Sequence, residues 1–138
     1  MTVLRTLLVA VALPTLSILG TVSNVRAQQV IVFDGDTYAA IAYSPSTGKY
    51  GYASNYGSRW SAQNAALRNC PVADAKIVTW VHNGFCALAL GDDVSAWGIG
   101  YSYGDGATNT NAKQRALNEC SKRSNGARIV VCVCSVGR

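Results

Sequence analysis

Three kinds of side chain in this sequence have the chemistry to act on another molecule: one histidine, five cysteines and seven carboxylates. His82 is the only histidine and stands four residues before Cys86. A thiol–imidazole nucleophile is therefore the one cysteine pairing the local sequence offers it, and that pairing requires Cys86 to be a free thiolate. A hydrolase built on His82 would otherwise need an aspartate to orient the ring. Asp34 and Asp36 flank a glycine, while Asp92, Asp93 and Asp105 fall in turn-like sequence, where aspartate commonly bonds its own backbone. Glu119 is the only glutamate and lies in a helical pattern. No Gly-x-Ser-x-Gly elbow is present. A zinc site needs four spaced ligands, and Cys132-Val-Cys134 has no matching second pair, so the sequence calls for no metal. The string Gly98-Ile-Gly100-Tyr-Ser-Tyr-Gly104 has the wrong spacing for a dinucleotide loop and leads into more loop. Its glycines are read as bulges or close-packing points, and no cofactor is expected.

What remains is aromatic. Tyr50 and Tyr52 alternate along one extended run, and Tyr101 and Tyr103 along another, with Trp97 at the start of the second. Alternation places each pair on one face of a strand, where tyrosines either complete a core poor in Leu and Phe or form a platform for a ligand.

The elements that must carry these residues come in two copies. Ala62, Ala66, Leu67 and Cys70 recur as Ala112, Ala116, Leu117 and Cys120. Ala40-Ile-Ala-Tyr43 corresponds to Ala87-Leu-Ala-Leu90, Gly51-Tyr-Ala to Gly98-Ile-Gly, and Ala75-Lys-Ile-Val to Ala127-Arg-Ile-Val. In the first copy, runs over 38–44 and 49–55 flank Pro45-Ser-Thr-Gly48 and predict a hairpin. Small and apolar residues at three- and four-residue steps predict a helix over 59–70, with Ser58 as its cap and Pro71 at its exit. The β-branched run 77–82 predicts a third strand. The second copy predicts strands over 86–90 and 96–103, a helix over 111–120 and a strand over 128–134. The order is ββαβ twice, with repeat one at about 37–82 and repeat two at about 86–134, an α+β fold. Helix faces made of alanine bury little area alone, so the two copies are expected to share one antiparallel or mixed sheet with both helices against it.

Ahead of the repeats, Arg5, an apolar run from Leu7 to Leu19 and Val25-Arg26-Ala27 predict a secretory leader cleaved after Ala27. The run is too short to span a bilayer, so no stable membrane insertion is expected once it is removed. Residues 28–138 then form a single domain, secreted or periplasmic. Losing Arg5 and Arg26 lowers the formal charge from +5 to +3, ten basic against seven acidic groups. Arg59, Arg68, Lys76, Lys113, Arg115, Lys122, Arg123 and Arg128 are spread along the chain and are read as solvated faces, not a nucleic-acid stripe.

Tyr38-Ala-Ala-Ile-Ala-Tyr-Ser, the Ala/Leu/Cys helix, Lys76-Ile-Val-Thr-Trp, Asn83-Gly-Phe-Cys-Ala-Leu-Ala and Val133-Cys-Ser together resemble the bacterial exported family called domain of unknown function 4189. The resemblance covers nearly all of the chain after the leader. It implies export and a duplicated ββαβ fold, and it brings no established activity. It also implies a disulfide between Cys86 and Cys134, whose loop of about 48 residues would stabilise by roughly 3–4 kcal/mol. Family members often carry a further cysteine just after the helix-end one; here those positions are Ala75 and Ala127. Cys70 and Cys120 are read as core thiols, with Cys70–Cys120 or Cys120–Cys132 as alternative pairs. The functional expectation is a non-enzymatic module that binds an unidentified protein or envelope glycan through its tyrosines. A small secreted hydrolase using His82 and an aspartate, and a structural or stress-related envelope protein, are the alternatives.

Overall fold

Pro45-Ser-Thr-Gly48 closes a hairpin between strands β1 (Tyr38–Tyr43) and β2 (Tyr50–Tyr56). Gly48 takes the left-handed conformation the turn requires, with φ at 72°. Asp74 braces this turn from across the unit: its carboxylate accepts from the Ser44 hydroxyl and, at 3.1 Å, from the Ser46 amide. Helix α1 (Arg59–Arg68) follows, and the Ser58 hydroxyl accepts from the Ser61 amide at 3.1 Å, the expected cap. Strand β3 (Lys76–His82) then returns antiparallel to the free side of β1. The second unit repeats the course as β4 (Gly84–Leu90), β5 (Trp97–Tyr103), α2 (Asn109–Ser121) and β6 (Arg128–Ser135). Thr108 caps α2, its hydroxyl accepting from the Asn111 amide. This computed structural model describes residues 35–135; the leader, the junction after Ala27 and Asp34 lie outside the described residues.

The strands form two three-stranded antiparallel sheets, β2-β1-β3 and β5-β4-β6. One shared sheet was expected, and the central strands explain the difference. Almost every residue of Tyr38–Tyr43 and Gly84–Leu90 is buried, so each sheet must be covered on both faces. Each helix covers one face. The other faces cover one another: Ala39, Ile41, Tyr43 and Val81 of the first sheet meet Cys86, Leu88, Leu90 and Val133 of the second. The result is four layers, α1, sheet, sheet, α2. In this stack β3 lies against β5 and β2 against β6, and exchanging the two units turns the first contact into the second. The copies thus meet as the halves of a two-fold dimer do, through the same surface on each.

The outer layers are built from backbone contact. A Cβ on Gly51 would stand 2.4 Å from the Ala66 carbonyl oxygen of α1, and one on Gly100 would stand 2.0 Å from the Ala112 carbonyl oxygen of α2. Gly98 meets the Cys120 amide in the same way, at 2.3 Å. The close-packing reading of these glycines therefore holds. Helix-side alanines, Ala62, Ala65 and Ala66 on α1 and Ala112 and Ala116 on α2, complete the contact. Cys70 and Cys120 close the two helix ends, each Sγ lying 3.5 Å from a carbonyl oxygen at an equivalent position, Lys49 and Ala96.

Two outcomes follow from this packing. Gly100→Ala forces the α2 backbone off β5 and is expected to destabilise by about 2–3 kcal/mol, lowering the melting temperature by on the order of 10 °C or more, as thermal denaturation by circular dichroism would register. The hydrogen bonds from Ser44 and Ser46 hold the Asp74 carboxyl below its ordinary value of 3.8. A depressed folded-state value means that the stabilisation is complete above the ordinary carboxyl range and is lost as pH falls through the folded value. Denaturant midpoints measured from neutral pH down to acid should therefore decline more steeply for the native chain than for Asp74→Asn, which is already weaker at neutral pH.

Candidate functional site

The inner face of β5 is the place where the aromatic pattern leaves the core. Antiparallel register sets Trp97 opposite Leu90, Ile99 opposite Leu88, Tyr101 opposite Cys86 and Tyr103 opposite Gly84, all directed between the sheets. Trp97 remains half-buried, its ring 5.9 Å from that of buried Tyr43. Farther along, the cover gives out: Tyr101 is 40% exposed and Tyr103 67%. Their rings lie 5.9 Å apart with planes within 18°, one broad aromatic surface. Between this strand and β3 runs a groove of about 520 Å³, lined by Val78, Thr79, Val81, His82, Tyr101 and Tyr103 among others. Its size is that of a small-molecule or short-oligomer site.

The rim carries the polar chemistry. His82 Nε2 pairs with Asp36 Oδ1 at 2.9 Å, and the imidazole stacks on Tyr38 with centroids 4.8 Å apart. Trp80, one row along, is covered by the Arg59 guanidinium at 4.0 Å from the ring centroid. The β3–β4 turn behind it is a single residue, Asn83, at φ 45°, whose side-chain oxygen accepts from the Thr37 amide and hydroxyl.

The five residues expected to form one platform are divided between two edges of the sandwich. Trp97, Tyr101 and Tyr103 lie on β5 beside β3. Tyr50 and Tyr52 lie on β2, at the opposite edge, where the Tyr50 hydroxyl donates to the Val130 carbonyl of β6 at 3.2 Å. The reason is the stacking of the sheets, which sends the two hairpins' outer strands to opposite sides. The groove draws instead on Trp80 and His82 of β3, whose proximity to β5 only the stacking creates.

The cysteines take positions that correct the pairing implied by the family resemblance. All five are free thiols. Register sets Cys86 opposite Val133 and Phe85 opposite Cys134, so Cys86 points between the sheets and Cys134 to the other face of the same sheet. A disulfide cannot span that separation without remodelling the strands. Cys70 and Cys120 sit in opposite outer layers and are not paired either. Burial pushes the Cys86 thiol up to about 12, which disfavours the thiolate that a nucleophile paired with His82 would need. Among the described residues, no serine, threonine or cysteine hydrogen-bonds the His82 ring. Nor do three or more His, Cys, Asp or Glu side chains converge on a common point among the described residues. Asp93 accepts from the Ser95 amide at 2.8 Å, the turn role expected of it.

The fold and the site together define a two-layered sheet core clad by helices on both sides, with an aromatic groove along one edge. The family model described as "Domain of unknown function (DUF4189)" matches residues 38–134, and the chain belongs to that family. No curated protein and no solved structure matches it.

Thiol labelling under native conditions at mildly alkaline pH tests the cysteine geometry. Exposed Cys134 should react first, and Cys86 only after denaturation, as peptide mapping of the labelled chain would show. Recovery of a peptide joining Cys86 to Cys134 would contradict this geometry.

Proposed function

We propose that the domain is an exported, non-enzymatic binding module that seats an envelope glycan in the groove between β3 and β5. The observation that carries this reading is the Tyr101–Tyr103 pair. These rings lie on a strand face whose other residues are committed to the core, yet they are left in solvent beside an open groove. A tyrosine ring offers a flat apolar face to the C–H face of a sugar ring and a hydroxyl to its polar edge. His82, which lines the groove and is held by Asp36, supplies a fixed polar group of the kind that orients a ligand in such a site. The leader expected over residues 1–27 supports delivery to the envelope, where such polymers are found.

A second reading, a small secreted hydrolase, is favoured only by the His82–Asp36 pair at the groove's rim. It would end with a hydrolytic activity that survives His82→Ala.

Retention on immobilised envelope polysaccharide tests the binding reading. Tyr103→Ala should weaken retention about tenfold while the melting temperature stays within a degree or two, since a largely exposed ring contributes little to folding. A large fall in melting temperature with unaltered retention would assign the ring to the core instead.

A further inference from the structure

A second groove lies on the other side of β5, between that strand and α2. It encloses about 660 Å³ and is lined by Trp97, Tyr101, Arg115, Glu119, Lys122 and Arg123 among others. Ile99 and Tyr101 line both grooves, so the two are continuous across the strand. The Arg115 guanidinium lies 5.5 Å from the Tyr101 ring centroid. Arg123 donates from Nη1 to the Trp97 carbonyl oxygen at 2.7 Å. Glu119 is the one carboxylate on this wall, and Lys122 holds it at 2.6 Å. Three cations against one anion leave an excess of two positive charges. Lys76, whose Nζ is 5.9 Å from the Trp97 ring, adds another cation at one end. Among the described residues, neither Arg115 nor Arg123 forms an ion pair with a carboxylate. Of the eight basic residues read as dispersed solvated charges, Arg115, Lys122 and Arg123 share this one wall.

The internal repeat provides an independent argument. Counterparts of Arg115, Glu119, Lys122 and Arg123 in the first unit are Ala65, Asn69, Val72 and Ala73. The residues that build the fold, Ala62, Ala66 and Cys70 against Ala112, Ala116 and Cys120, are the same in both units. Packing an α-helix on this sheet therefore does not require the charge. It has been placed on one of two equivalent faces, the one that continues the aromatic groove.

We infer that the ligand of the β5 grooves is an acidic saccharide, its rings on Tyr101 and Tyr103 and its carboxylates on the guanidinium groups of Arg115 and Arg123. This deepens the binding reading above and rests on it. Guanidinium forks match carboxylates in geometry as well as charge. Two excess charges in a groove of this size suit a short acidic oligomer, whereas a nucleic acid is met by a longer basic stripe tracking its phosphates.

The test compares two probes on the purified protein by calorimetry: an oligogalacturonate hexamer, and the same hexamer with its carboxylates reduced to alcohols. The acidic hexamer is expected to bind at least tenfold more tightly at low salt, with the difference shrinking as salt rises. Arg115→Gln should cut the ratio of the two affinities about tenfold. Arg68→Gln, an exposed charge on α1, should leave the ratio unchanged, and matching melting temperatures would show that both variants fold. Amide shifts in NMR spectra should map to β5 and α2. Equal affinity for the two hexamers, or a ratio indifferent to Arg115→Gln, overturns the acidic preference while leaving glycan binding standing. Failure of both hexamers to bind overturns this inference, and failure of the wild-type protein to be retained on envelope polysaccharide overturns the broader reading as well. A single-stranded DNA oligomer of equal charge binding as tightly as the acidic hexamer would reduce the site to a general polyanion patch.

Discussion

The contact of helix backbone with strand backbone, made where Gly51, Gly98 and Gly100 lack a side chain, sets the position of everything outside the inner core. A helix held off a sheet by ordinary side chains can slide and rotate by small steps, because its contacts are many and interchangeable. A helix seated on bare glycine with alanine on its own face has few alternative positions at the same distance. That is why Arg115 of α2 and Arg123 just past its end lie along one wall with strand β5, and why Cys70 and Cys120 find equivalent carbonyl groups at the two helix ends. The second unit carries two such glycines where the first has Gly51 and Ala53, and it is the second unit whose helix–strand junction bears the charged groove.

Duplication does the rest of the architectural work. Each unit presents the same apolar inner face, and a face that matches itself pairs by two-fold exchange. Such a sandwich has two long edges, and each edge joins an outer strand of one unit to an outer strand of the other. One edge is lined by Tyr50, Tyr52 and β6. The other is lined by β3, Tyr101 and Tyr103, and there the two rings stack on each other and Arg115 lies over Tyr101. Equivalent frames with unequal decoration separate what the fold needs from what it carries. Alanines, glycines and helix-end cysteines recur in both units, while Arg115 and Arg123 have Ala65 and Ala73 as counterparts.

The reactive side chains are mostly committed to the fold. Burial disfavours ionisation of the Cys86 thiol, the only histidine is occupied by a carboxylate and a stacked ring, Asp74 and Asp93 brace turns, and Glu119 pairs on α2. Aromatic surface, guanidinium groups and an open groove remain, and the proposed glycan site is built from these.

Periodicity and punctuation are local properties, so the sequence alone determined the elements. The tyrosine-rich apolar run over 38–44, the alanine steps in 59–70, Ser58 as cap, Pro71 and Gly48 as breaks, and the fifty-residue echo of all of these are legible without a structure, because backbone geometry within a few residues dictates them. The same holds for the reading of Gly98 and Gly100 as points of close approach. Tertiary structure alone decided that the two copies stack face to face instead of extending one sheet, since that depends on both faces of the central strands being buried at once. It also decided that Tyr50 and Tyr101 belong to different edges, that Asp36 reaches His82, that Asp74 braces a turn thirty residues away, and that Cys86 and Cys134 turn to opposite faces of one sheet. Each of these is a relation between residues brought together by packing, and side-chain direction across a sheet changes with every single-residue step of register. A linear pattern carries the identity of the partners; only the stacking of the layers carries the distance between them.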